Sequence, residues 1–191
     1  MKKSFAYLLV ALFLGCSAAV IAAESSLEKQ TPEQLESLES RAATGNEKAQ
    51  MKLAIMYLEG NGVSADTDKA LFYYRLAAER DIAFAQHRLA RLYLDNDHVE
   101  PDPAKALAWL LRAAKLGLVQ AQLDLSQLYE DGTGINRDFV KAYKWLSIAS
   151  SLTDRNLEPR QVELEAKMTF TELAQANLLS RICILTAYQD C

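Results

Sequence analysis

A chain of 191 residues, half of them hydrophobic, has enough material for one folded unit that needs neither metal nor a disulfide framework to hold its core. Lysine and arginine number 21 against 25 aspartate and glutamate, for a net charge of −4. That balance argues against a general nucleic-acid binder, which needs a basic face to displace counterions from phosphate. The two histidines, His87 and His98, stand eleven residues apart with no cysteine nearby, so neither ligand number nor spacing fits a metal site.

Residues 1–23 have the anatomy of a secretory signal: basic Lys2 and Lys3, an apolar run from Phe5 to Gly15, then small residues up to Ala22-Ala23. The apolar stretch approaches the roughly 20 residues a membrane span requires, so a retained anchor is the physical alternative. The alanine-rich end suits a peptidase better than a bilayer edge. Phe13-Leu14-Gly15-Cys16 is similar to the bacterial lipoprotein box, which makes Cys16 the alternative lipidation site and the one route to membrane attachment. Phe13 stands where that box usually has leucine, and Ser17 to Ala23 stays apolar where a lipoprotein turns polar, so release after Ala22 or Ala23 is favoured. The Met-Lys-Lys start looks bacterial, and the expected destination is the periplasm, with a lipoprotein or a secreted protein as alternatives. The mature chain then carries 19 basic against 25 acidic side chains.

Glu24 to Gln30 reads as a flexible polar leader. Residues 31–45 form a capping helix, with Thr31 as N-cap, Pro32 in the first helical position and Gln34 three residues after the cap. Leu35, Leu38 and Ala42 give it a sparse apolar stripe, and Gly45 ends it. From residue 46 the punctuation recurs every 36 residues. Ala49-Gln50, Ala85-Gln86 and Ala121-Gln122 are in register, as are Tyr57, Tyr93 and Tyr129, and Lys69-Ala70, Lys105-Ala106 and Lys141-Ala142. A fixed period of this size marks stacked supersecondary units.

Three units follow, at approximately 46–81, 82–117 and 118–153, each with two helices and a loop. The first unit places Ala49, Leu53, Met56 and Tyr57 on one helical face, breaks at Gly60-Asn61-Gly62, and resumes at Asp66 or Thr67 with Ala70, Tyr73, Tyr74 and Ala77 inward. In the second, Asn96 and His98 replace the loop glycines, and Pro101 and Pro103 stiffen the approach to its second helix. The third restores the glycines as Gly132 and Gly134. These serve a turn, since no G-K-[ST] follows and no strand precedes. Alanine at one place in every unit lets helices approach closely, and Trp109 and Trp145 take the place of Tyr73. Residues 153–191 lose the period. They offer a helix from Glu158 to Lys167, then a last one capped by Thr169 or Thr171, with Leu173, Ala174, Ala176, Leu178 and Ile182 among its apolar positions. The expected fold is all-α, an α/α superhelix (solenoid) of about three helix pairs with helical caps at both ends.

The pattern A-x-x-x-L-x-x-x-Y, then G-x-G-[VI], D-x-x-K-A and an aromatic followed by A-A or A-S, resembles the SEL-one-like repeat, a relative of the tetratricopeptide repeat. Gly60-Asn61-Gly62-Val63, Asp66, Lys69-Ala70 and Ala77-Ala78 carry the likeness in the first unit, and it covers roughly residues 43–152. The resemblance implies right-handed superhelices that act as adaptors for protein complexes, often exported in bacteria, with no cofactor and no small-molecule substrate. It leaves the partner unknown, because the repeat is a scaffold for many jobs.

If first helices line the inner surface, as in related repeats, positions that change between units are free to serve a ligand. Lys48, Lys52 and Ile55 form one stripe, with Phe84, Arg88 and Arg91, then Gln120, Asp124 and Gln127, as counterparts. This band is basic and apolar in two units and polar to acidic in the third, suited to an acidic or amphipathic segment of a protein or peptide. The alternative is that free positions simply vary.

Exported relatives have been associated with β-lactam binding, and an envelope hydrolase or β-lactam-interacting protein is therefore the competing reading. Ser26-Leu27-Glu28-Lys29 matches S-x-x-K, but neither S-D-N nor K-T-G occurs, and a flexible leader cannot hold a base and oxyanion donors in place. The C-x₇-C spacing of Cys183 and Cys191 is similar to that across hairpins in cysteine-rich members, which implies a disulfide. On one unbroken helix their Cα atoms would stand about 12 Å apart, beyond the roughly 7 Å limit for a bridge. Bonding thus requires the chain to fold back within Leu185–Asp190. The alternative is two free thiols on a frayed tail.

Overall fold

The computed structural model describes residues 31–95, 97–188 and 191. The expected signal segment 1–23 with Cys16, the leader 24–30 with its Ser26–Lys29 sequence, and Asn96 lie outside the described residues. The described residues form helices and connecting turns, with no strand among them: α1 (Pro32–Ala43), α2 (Glu47–Glu59), α3 (Thr67–Ala78), α4 (Ala83–Leu94), α5 (Pro103–Lys115), α6 (Val119–Asp131), α7 (Phe139–Ser151), α8 (Glu158–Glu165) and α9 (Phe170–Leu185). Each of α1 to α7 packs on the next in the chain, and α9 reaches back past α8 to lie against α7. The molecule is an α-solenoid.

The D-x-x-K step is one closing device used three times. Asp66, Asp102 and Asp138 cap the second helix of their units by accepting from the main-chain N–H of Lys69, Lys105 and Lys141, at 3.0, 2.9 and 2.9 Å. Each cap contributes about 1 kcal/mol. The aspartate's own N–H donates to the carbonyl of Tyr57, Tyr93 or Tyr129, at 2.8, 2.9 and 2.9 Å, which ties the loop to the first helix. The lysine Nζ lies over that same tyrosine ring, at 4.7, 5.5 and 5.2 Å.

The Ala-Gln pair is a second device. Gln50, Gln86 and Gln122 are buried, and each Nε2 donates to a carbonyl in the last turn of the preceding helix: Ala42, Ala78 and Ala114, at 3.0, 2.9 and 3.2 Å. Each of these carbonyls also accepts a main-chain N–H from the turn that follows, from Gly45, Asp81 and Gly117 at 3.0, 3.2 and 3.0 Å, so the glutamine adds a second donor that joins unit to unit. The adjacent Ala49, Ala85 and Ala121 are almost wholly buried and allow the close approach.

Several expectations need adjusting. Tyr73 and Trp109 are half-buried, with Tyr73 stacked on Tyr57 at 6.0 Å, and only Trp145 in that register is fully buried. Helices α2 and α6 end on left-handed Gly60 and Gly132, at φ 71° and 68°, whereas α4 ends on Asp95 in extended conformation. The middle loop leaves by a different path and rejoins the pattern at Asp102. Asp66 caps α3 and Thr169 caps α9.

At the far end the chain reverses after Leu185, with Ala187 and Tyr188 at positive φ, and Cys183 bonds to Cys191 across Cα atoms 4.9 Å apart. A bridge closing so short a loop contributes about 2–3 kcal/mol. Cys183 lies on the buried face of α9 with Ala176 and Ser180, and Leu178 and Ile182 face outward. On α8, Leu164 is buried and Val162 is exposed.

Candidate functional site

The residues that vary between units come together along the first helices α2, α4 and α6. Lys48 and Lys52 are exposed on α2 and Ile55 is half-buried, and together they border a cavity of about 530 Å³ floored by Met51, Met56 and Ile82. Phe84, Arg88 and Arg91 of α4 face Gln120 and Asp124 of α6 across a second cavity of about 620 Å³. A smaller one, about 210 Å³, continues between Arg91, Asp124 and Gln127. The stripes of units two and three therefore share one cleft, while that of unit one borders its own. Hydrogen bonds and ion pairs then divide these nine residues into two kinds.

Asp124 and Gln127 of the third unit are engaged internally. The Asp124 carboxylate lies 2.9 Å from His87 Nε2 and 3.7 Å from Arg91 Nη1, an ionic link from unit three to unit two. Gln127 donates to the Asp131 carboxylate at 2.9 and 2.8 Å and accepts from Arg160 at 2.7 Å. Arg160 and Lys167, from the C-terminal cap, both pair with Glu130.

Arg88 differs. Its guanidinium lies over the Phe84 ring at 5.1 Å, and it has no acidic partner within ion-pair distance among the described residues. The same holds for Arg155, which enters the second cavity from the connection between α7 and α8.

Sequence reasoning missed Met51, His87 and Leu123, which occupy one register position, half-buried beside the stripe. The column changes type in every unit, so the rule that found the stripe could have found it too. Arg155 had no such signal, because it lies beyond the last repeat. Among the described residues there is no cluster of histidine, cysteine, aspartate and glutamate that could hold a metal ion. No helix among them is long and apolar enough to cross a membrane.

A stack of helix pairs whose first helices line a cleft defines a repeat scaffold. The Sel1 repeat family model matches three times in succession, at residues 47–82, 83–118 and 119–154, and the chain belongs to the Sel1 repeat family. A crystal structure of a Sel1 repeat protein from Oxalobacter formigenes is similar at 32% identity and a TM-score of 0.60, over 68% of this chain and 97% of that one. A second similar structure is c5321, described as a protective antigen of uropathogenic Escherichia coli strains with an SLR fold. It is 29% identical, with a TM-score of 0.47, over 84% of this chain and 43% of that one. No curated protein matches the chain. Sel1 repeat proteins generally mediate protein–protein interaction and are typically non-catalytic.

Proposed function

We propose that this chain is an exported scaffold of the bacterial envelope that holds a segment of a protein or peptide along α2, α4 and α6. The observation that carries the reading is the cavity of about 620 Å³ shared by Phe84, Arg88, Arg91, Gln120 and Asp124. Five positions free to vary between units border one cleft, while the alanine, glutamine and tyrosine columns beside them are committed to the stack. Export is supported by the signal-like residues 1–23 and by the Cys183–Cys191 disulfide, which belongs in an oxidising compartment such as the periplasm. Lipidation at Cys16 is the alternative attachment.

Charge reversal tests the reading. Lys52→Glu combined with Arg88→Glu leaves the buried residues untouched and is expected to reduce partner capture from periplasm about tenfold. Phe72→Ala, on the exposed face of α3, should not reduce it. Equal capture by wild type and the double variant would move the site away from these helices.

A further inference from the structure

We infer that the α4–α6 cleft recognises an acidic amphipathic peptide segment, through carboxylate side chains on Arg88 and Arg155 beside an apolar side chain on Phe84, Leu118 and Leu123. This rests on the reading of the groove as the binding site and adds the chemistry of its occupant.

The cavity wall carries three arginines and one aspartate, in a chain whose net charge is −4. A local excess of positive charge on an acidic protein selects an anionic partner and repels basic ones. Arg91 is already matched, since Asp124 lies 3.7 Å from it and is held by His87 at 2.9 Å. Arg88 and Arg155 are the cations left without an internal acid among the described residues. Guanidinium pairs with carboxylate through two parallel N–H···O bonds, and Arg88 presents its guanidinium beside the Phe84 ring, 5.1 Å from its centroid.

The apolar wall makes the second half of the case. Phe84 is 45% exposed on the cleft rim, with Leu118 and Leu123 on the opposite wall. Bare phosphate or an acidic polysaccharide would leave that surface wet. A segment in which acidic and apolar side chains adjoin covers both. The neighbouring cleft has a similar combination, Lys48 and Lys52 with Met51 and Ile55, against one acid, Glu47. Asp124 then limits affinity, because its carboxylate occupies Arg91 and opposes an incoming acid.

Fluorescence anisotropy with labelled synthetic peptides of about twelve residues tests this. The first alternates Glu with Leu, the second replaces every Glu by Gln, the third replaces every Glu by Lys, and all are C-terminally amidated so that only side chains supply carboxylate. The Glu peptide is expected to bind about tenfold tighter than the Gln peptide at low salt, with the gap closing as salt rises. Arg88→Glu and Arg155→Glu, both exposed, should each weaken it about five- to tenfold, and Asp124→Asn should tighten it a few-fold. Equal or tighter binding of the Gln or Lys peptide, still lost on Phe84→Ala, would overturn the acidic preference and keep the groove. A Glu peptide that fails to bind overturns the preference, and one that binds equally to every groove variant overturns both.

Discussion

Trp145→Ala is expected to destabilise the protein by about 3–5 kcal/mol, a large part of the 5–15 kcal/mol typical of a domain. The side chain is fully buried, and removing an indole from a close-packed site leaves a cavity that neighbouring helices cannot fill. Trp109 is the control. It stands one repeat earlier in the same register but is half-buried, with Arg112 over its ring at 4.7 Å, and Trp109→Ala should cost about 1–2 kcal/mol. The difference arises because α9 and the bridged tail cover the third unit, whereas the second has only its neighbours. Trp145→Phe should be much milder, since the indole N–H has no hydrogen-bond partner among the described residues and only volume is lost. Urea melts of the three variants check this. Equal losses for Trp145→Ala and Trp109→Ala would contradict the role given to the C-terminal cap.

Stability is expected to rise from about pH 8 to a maximum near pH 10, and Lys144 is the reason for the rise. Its Nζ donates to the main-chain oxygen of Cys191 at 2.9 Å and lies 4.5 Å from the Trp145 ring, almost wholly out of water. Burial pushes the amine down to about 8 from 10.5, with repulsion from Lys141 and Lys115 adding to it. Between those values the unfolded chain holds a proton that the folded chain has released, so raising the pH favours folding. The gain is about 1–2 kcal/mol after a discount for solvent screening.

Above pH 10 the direction reverses. Burial, followed by hydrogen bonds to the carboxylates of Glu39 and Glu165, pushes Tyr57 and Tyr143 up to about 12 from 10.0. The folded chain keeps those protons while the unfolded chain loses them, and stability falls as pH rises through that window. The optimum should therefore lie near pH 10. Lys144→Met keeps the stem and removes the charge, so its melting temperature should not climb between pH 7.5 and 10. A climb equal to wild type would assign the effect to another group.

The two devices that build the stack were legible as columns, and their mechanism was only partly so. Identical residues at a fixed spacing revealed the helix pairs, yet nothing in the Ala-Gln pattern said that the amide reaches eight residues back to Ala42, Ala78 or Ala114. Contacts between unlike residues of different units left no pattern at all. Asp124 stands on the stripe because it breaks from Arg88, and no spacing in the sequence pairs it with His87 and Arg91. Lys144 is in register with exposed Phe72 and Ala108, yet it is buried where α9 packs on α7 and the tail brings the Cys191 oxygen to its Nζ. Leu178 and Ile182 turn outward because Ala176, Ser180 and Cys183 occupy the buried face of α9.

Photo-crosslinking tests the groove most directly. Gln120 is exposed at the second cleft, and Phe72 is 55% exposed on the second helix of the first unit. A photoreactive phenylalanine placed at one position and then the other, in cells expressing the full chain, samples both faces under the same conditions. The account predicts a discrete crosslinked partner from position 120 that is lost when Arg88→Glu is added, and none from position 72. The same partner captured from position 72, with none from position 120, would contradict it.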